Sequence, residues 1–305
     1  MYQRALQGFE KASGPDHTST LSTANNLGSL YANQGKLEEA EKMYQRVLQG
    51  NEKLCGPDHT STLETVNNLG NLYRSQGKLD EAEKMYVRAL QGYEKAWGAD
   101  HTSALNTVNN LGNLYADWGK LDEAEKMYVR ALQGKEKAWG PNHTLTLSTV
   151  NNLGLLYADQ GKLDEAEKMC RRALQGYEKA LGPEHTSTLN AVDTFGSFYA
   201  KQGKLDQAET MYQRAIQGYE SALGLKNVAR YQPALDTIWN LGNLLATKGH
   251  VDKAKEMYSR AYTGFHALLG PSSDKCQRLE RALTSLDPTQ GKSRGFYFLP
   301  WYTIG

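Results

Sequence analysis

The strongest constraint on this chain is the placement of its glycines. Of the 29 glycines, 26 fall in four columns. Gly8, Gly50, Gly92, Gly134, Gly176, Gly218 and Gly264 form the first. Gly14 through Gly270 form the second, Gly28 through Gly242 the third and Gly35 through Gly249 the fourth. The step is 42 residues throughout, except the last, which is 46. A fixed period of this length marks an array of one supersecondary unit, because each unit is too small to bury its own apolar face and must stack on its neighbours.

One unit reads TSTLETVNNLGNLYRSQGKLDEAEKMYVRALQGYEKAWGAD. Its apolar residues recur at helical spacing twice. Leu63, Val66, Leu69, Gly70, Leu72 and Tyr73 predict a helix A from about Ser61 to Gln76, stopped by Gly77 as a C′ residue. Ala82, Met85, Tyr86, Ala89 and Leu90 predict a helix B from about Leu79 to Trp97. Its first turn carries Asp80, Glu81 and Glu83, which suit the positive end of the helix dipole. The expected fold is all-α, a right-handed α-solenoid of stacked antiparallel helix pairs with seven B helices and six A helices. A more polar helix over residues 272–286 would cap it. The division expected is a repeat array over residues 1–270, a capping helix over 271–287 and an aromatic tail over 288–305. Met1 falls in the column of Met43 and Met85, on a B helix without its A partner. This predicts that the chain is a piece of a longer protein, or starts at an internal repeat methionine.

The columns Leu69, Gly70, Tyr73, Ala82, Tyr86 and Ala89 resemble the tetratricopeptide signature L-G-x-x-Y…A-x-x-x-F/Y-x-x-A. The 42-residue length, the NNLGNLY segment and the GPDHTSTL linker are similar to the kinesin-light-chain class of these repeats, and equally to the arrays of fungal NACHT and NB-ARC receptors. The resemblance implies that helix A lines a concave groove. On helix A, the half opposite the apolar stripe holds Asn67, Asn68, Asn71 and their equivalents. The candidate peptide-binding residues are therefore Asn25, Asn26, Asn67, Asn68, Asn71, Asn109, Asn110, Asn113, Asn151, Asn152, Trp239, Asn240 and Asn243. A carboxamide offers a donor and an acceptor together, so it can pair with a peptide backbone of any sequence. The competing reading is that the asparagines bond each other or neighbouring helices and set the pitch. In the later repeats Asp193 and Thr194 replace the pair, Trp239 replaces the first asparagine, and GLKNVARYQPAL carries a four-residue insertion. Trp239 is either a flat contact for a ligand or packs under that insertion. The glycine column of Gly92 lies inside helix B, where glycine costs roughly 1 kcal/mol relative to alanine. Close approach of helix B to a neighbour in the next repeat would compensate.

Composition narrows the function. Lys plus Arg total 35 against 34 Asp plus Glu, which gives no basic excess for nucleic acid or an anionic membrane. No apolar run approaches the roughly 20 residues of a membrane span, and the first residues lack a signal-peptide core. Cys55, Cys170 and Cys276 are far apart and without metal spacing, which reads as a reducing, cytoplasmic setting. His17, His59, His101, His143 and His185 recur one repeat apart and read as structural loop residues. No phosphate loop, nucleophile elbow or metal motif is found. The expectation is a non-enzymatic scaffold without cofactor, whose partner is a protein or peptide. The alternatives are the sensor or self-association array of a larger NACHT or NB-ARC type signalling ATPase, or the cargo-adaptor light chain of a kinesin motor.

Overall fold

The computed structural model describes residues 1–286, so the aromatic tail over 288–305 lies outside the described residues. The chain is all-α, an α-solenoid of stacked antiparallel helix pairs. It divides into two compact units, Met1–Ala138 and Trp139–Gly305. In the first unit, α1 (Tyr2–Ser13) is followed by α2 (Thr18–Asn33), α3 (Leu37–Cys55), α4 (Thr60–Ser75), α5 (Leu79–Trp97), α6 (Thr102–Asp117) and α7 (Leu121–Trp139). In the second, α8 (Thr144–Asp159), α9 (Leu163–Leu181), α10 (Thr186–Lys201) and α11 (Leu205–Leu223) continue the alternation. The four-residue insertion folds as the short α12 (Leu225–Val228), ahead of α13 (Gln232–Thr247), α14 (Val251–Leu269) and the last described helix, α15 (Asp274–Ser285).

Both ends of helix A are set by the linker. His17, His59, His101, His143 and His185 are N-cap residues. Each imidazole Nδ1 accepts the backbone N–H two residues on, at 3.1–3.3 Å. This is the capping usually done by Ser, Thr, Asp or Asn, and it places the remaining ring proton on Nε2. The threonine three residues after the cap, as in Thr20 and Thr62, returns its hydroxyl to the carbonyl of Gly14 or Gly56 at 2.8 Å. Gly77 ends helix A at φ +72°, and Gly98 ends helix B at φ +88°, both in the region that only glycine enters cheaply.

Leu63, Val66, Leu69 and Leu72 of α4 and Ala82, Tyr86, Ala89 and Tyr93 of α5 are buried. The glycine column is a contact, but with a different neighbour than expected. A Cβ on Gly92 would lie 2.4 Å from Leu63 Cδ2, and one on Gly134 would lie 2.3 Å from Leu105 Cδ2. Both leucines belong to helix A of the same repeat, not to the next one.

Repeats are joined by ionic ladders. Arg46, Arg88 and Arg130 pair with Glu10, Glu52 and Glu94 of the preceding B helix. Lys53, Lys95 and Lys137 pair with the linker carboxylates Asp16, Asp58 and Asp100. The lysine pairs are exposed and of small individual worth, the arginine pairs are half-buried, and both repeat the same partners at each step.

Lys135 departs from its column, where Tyr93, Tyr177 and Tyr219 stand. It is 2% exposed, and burial pushes its ammonium down to about 8 from 10.5. The folded state thus releases its proton before the unfolded state does, so stability should rise as pH climbs from about 8 to 10.5. Lys135→Tyr should stabilise the chain at neutral pH by roughly 1–2 kcal/mol and flatten that slope. Urea melts at neutral and alkaline pH check both; a destabilised variant at neutral pH would refute the expectation.

Candidate functional site

The carboxamides predicted from the sequence lie on the A helices, and the structure gives them specific partners. Asn68 Nδ2 donates to Asn25 Oδ1, and Asn110 Nδ2 donates to Asn67 Oδ1, both at 3.3 Å. Thr107 Oγ1 adds a second donor to Asn67 Oδ1. In the second unit, Asn151 Nδ2 donates to Thr194 Oγ1 at 3.0 Å, and Asn240 Nδ2 to Asp193 Oδ1 at 3.3 Å. In these four doublet bonds the first residue of a doublet meets the second residue of the next doublet, 43 residues on, or 47 across the insertion. The doublets form lattice bonds between repeats, as the competing sequence reading had it. Both columns stay half-buried, Asn25, Asn67, Asn109 and Asn151 in the first and Asn68, Asn110, Asn152 and Asn240 in the second, while Asn26 is exposed.

Asn71, Asn113 and Asn243 have another task as well. Each accepts a hydrogen bond from the tyrosine of its own B helix: Tyr86 at 2.7 Å, Tyr128 at 2.6 Å and Tyr258 at 2.8 Å. Ser29 with Tyr44 and Ser197 with Tyr212 make the same contact with a hydroxyl. Burial raises the phenols of Tyr44, Tyr86, Tyr212 and Tyr258, Tyr86 and Tyr258 to about 12, so these remain donors across the physiological range. Asn71 is nonetheless exposed, and Asn113 and Asn243 are partly so. Asn109 is likewise partly exposed.

Trp239 is half-buried and packs toward α14 and α15. Its ring meets Phe265 of α14 edge-on, with centroids 6.3 Å apart, and the Arg278 guanidinium of α15 lies 5.0 Å from its centroid. Standing in the first column, it is directed at the following repeat, as the asparagines of that column are.

Two features escaped the sequence reading. The first is a half-buried polar cluster at the altered doublet, Asp193 and Asn240 with Asp236 and the buried Thr237. Burial pushes the Asp193 carboxyl up to about 6, against hydrogen bonds from Thr237 and Asn240 that hold it down, and the neighbouring Asp236 raises it further. Asp236 is itself raised by burial and paired with Lys275. The second is a cavity of about 490 Å³ between α8, α10, α11 and α13, lined by Leu155, Ala200, Lys201, Leu205, Asn240 and Leu244 among others. The signal for it was in the columns: Leu155 stands where the other repeats carry Ser or Asn, and Cys170 where they carry Tyr. Among the described residues, no group of three or more His, Cys, Asp or Glu side chains converges as a metal site would require.

The tetratricopeptide repeat family model matches residues 1–53, 19–95, 62–137 and 145–221, and a second tetratricopeptide repeat model matches residues 235–263. No curated protein matches the chain in sequence. Among solved structures, the chain is similar to the nearly identical TPR-like repeats described as a kinesin light chain of Podosopora anserina. There the identity is 21% over 68% of this chain and 98% of that one, with a TM-score of 0.55. It is similar to a Rap protein complexed with competence and sporulation factor, at 15% identity over 93% of this chain and 85% of that one, with a TM-score of 0.60. It is also similar to a signal transduction ATPase with numerous domains and a tetratricopeptide repeat sensor from Pyrococcus horikoshii. That match has 18% identity and a TM-score of 0.57 and covers 93% of this chain but 41% of that one. At these identities the likeness is one of fold.

Proposed function

Because the chain belongs to the tetratricopeptide repeat family, we propose that it is a non-enzymatic scaffold whose A helices bind an extended segment of a partner protein. The observation that carries this reading is the exposed to half-buried set of carboxamides Asn26, Asn68, Asn71, Asn110, Asn113, Asn152, Asn240 and Asn243. They recur at two positions, three residues apart, on α2, α4, α6, α8 and α13. Evenly spaced donor–acceptor groups suit a ligand whose own donors and acceptors recur evenly, which is an extended backbone. At roughly 1 kcal/mol net per bond, several must act together, and a repeat array supplies several. The likeness to the Rap protein complexed with competence and sporulation factor supports a ligand-binding use of such an array. The near balance of acidic and basic residues offers no general attraction for nucleic acid. Among the described residues, no helix is long and apolar enough to cross a membrane.

The test is selection of linear peptides from a displayed random library, followed by substitutions that spare the lattice. Asn71→Ser and Asn113→Ser keep an acceptor for Tyr86 and Tyr128, since serine does that work beside Tyr44 and Tyr212. Combined with Asn26→Ala, they should weaken the selected peptides at least tenfold with an unchanged melting temperature. Undiminished binding would overturn the carboxamide reading. The sensor-array alternative is favoured by the Pyrococcus horikoshii likeness, in which the repeats account for part of a larger ATPase. It would instead show concentration-dependent self-association without any selected peptide.

A further inference from the structure

In the second unit the repeating tyrosine–carboxamide bond is broken in one place, on both sides at once. Five repeats pair a B-helix tyrosine with Ser29, Asn71, Asn113, Ser197 or Asn243. In the α8–α9 pair the tyrosine is Cys170 and its partner is Leu155. Removing both halves of a buried hydrogen bond together leaves no unsatisfied atom. It also turns an outward polar position into an apolar one, and Leu155 is a wall of the 490 Å³ cavity. The volume falls in the roughly 300–1,000 Å³ range of ligand sites.

The polar side chains around the cavity are already engaged, some with each other and some with groups beyond it. Lys201 pairs with Asp159. Ser197 Oγ and Tyr212 OH are 2.9–3.1 Å partners in the pattern of their column, here 3.1 Å apart. Asn240 Nδ2 donates to Asp193, and Thr247 Oγ1 donates to the Asn243 carbonyl at 3.1 Å. A charged occupant would find its counter-charges spent, whereas Leu155, Ala200, Leu205 and Leu244 offer apolar contact that water gains nothing by covering.

We propose that this cavity is a specificity pocket for one large apolar side chain, leucine-sized or aromatic, of the extended segment bound along the A helices. The pocket rests on the reading given under the proposed function and adds to it the register: of the repeats, this one anchors the ligand by a side chain, while the others hold its backbone.

The test uses three capped pentapeptides, acetyl-Gly-Ser-X-Ser-Gly-amide with X as Leu, Ala or Asp, titrated into the full chain with leucine methyl groups observed by NMR. The Leu peptide should shift the methyls of Leu155, Leu205 and Leu244 and bind about tenfold or more tightly than the Ala peptide, as the lost apolar area requires. The Asp peptide should leave those methyls unmoved. Leu155→Asn, which installs the residue found at Asn71, Asn113 and Asn243, should abolish the preference for Leu, and Leu155→Met should keep it. Equal binding of all three peptides, with shifts spread over A-helix amides alone, would overturn the pocket and leave the groove reading standing. No shift with any peptide at millimolar concentration would overturn both.

Discussion

Gly92→Ala lowers the stability of the array, although alanine is the better helix former. The added methyl would sit 2.4 and 2.7 Å from the two Cδ atoms of Leu63, which is itself 1% exposed and has nowhere to turn. Overpacking of this kind costs roughly 1–3 kcal/mol, and the gain in helix propensity returns about 1 kcal/mol. The expected net loss is therefore up to about 2 kcal/mol for Gly92→Ala and for Gly134→Ala alike. Gly8 is the internal control. It belongs to the same column, but a Cβ there meets nothing within 4 Å. Gly8→Ala should therefore raise the helicity and stability of α1. Circular dichroism melts of the three variants decide the matter: a rise in all three would mean that the column is a copied surface residue.

Asp193→Asn gives the largest stabilisation expected near neutral pH. Asp193 titrates near 6 in the fold against 3.8 as its ordinary value. With the folded value raised, the folded state holds a proton that the unfolded state has already lost. Stability is therefore complete below about pH 4, falls as pH rises to about 6, and stays reduced above it. The gap of about two units corresponds to at most roughly 3 kcal/mol. Asparagine is neutral and already serves in this column at Asn67, Asn109 and Asn151. The variant should gain up to that amount at pH 7, gain little at pH 4, and lose the slope between. Denaturant melts at pH 4, 5, 6 and 7 measure it; an unchanged slope would place the pH dependence elsewhere, with Asp236 and its partner Lys275 the first groups to examine.

Much of the fold was legible because a repeat states each structural rule several times. The predicted B helix, Leu79 to Trp97, is the observed one, and the A helix differs by one residue at each end. The earlier start, at Thr60, follows the N-cap His59, whose capping role comes from its ring and not from any periodicity. The carboxamide face was legible as a face. Its internal bonding was not, because it depends on how far one repeat is displaced against the next. The offset of 43 residues in Asn110→Asn67 is one period plus one residue. That is why asparagines come as adjacent doublets, and the doublet itself was the sign that they serve each other. The glycine column shows the same limit: the period marks Gly92 as a contact, but only the packed helices reveal that Leu63 of its own repeat is the neighbour. The cavity was missed because Leu155 and Cys170 lie in different helices, and their joint departure has meaning only once Tyr86 is seen to bond Asn71.

The ladders between repeats make chain length a quantity that changes in whole steps. Excising residues 57–98 would join Gly56 to the intact linker Ala99–Asp100–His101. Arg130, which now faces Glu94, would then face Glu52; Asn110 would face Asn25 in place of Asn67, and Tyr115 would face Glu41 in place of Glu83. Each of these newly met partners has the same chemistry as the one removed, while the core beside α6 exchanges Tyr93 for Asn51 and Ala89 for Val47. A gene with this property can be shortened or lengthened by recombination between its own copies, and the products in this stretch inherit these bonds between repeats. The α8–α9 pair is outside that freedom: duplicating it would duplicate Leu155 and Cys170, and with them the break in the tyrosine hydrogen-bond pattern.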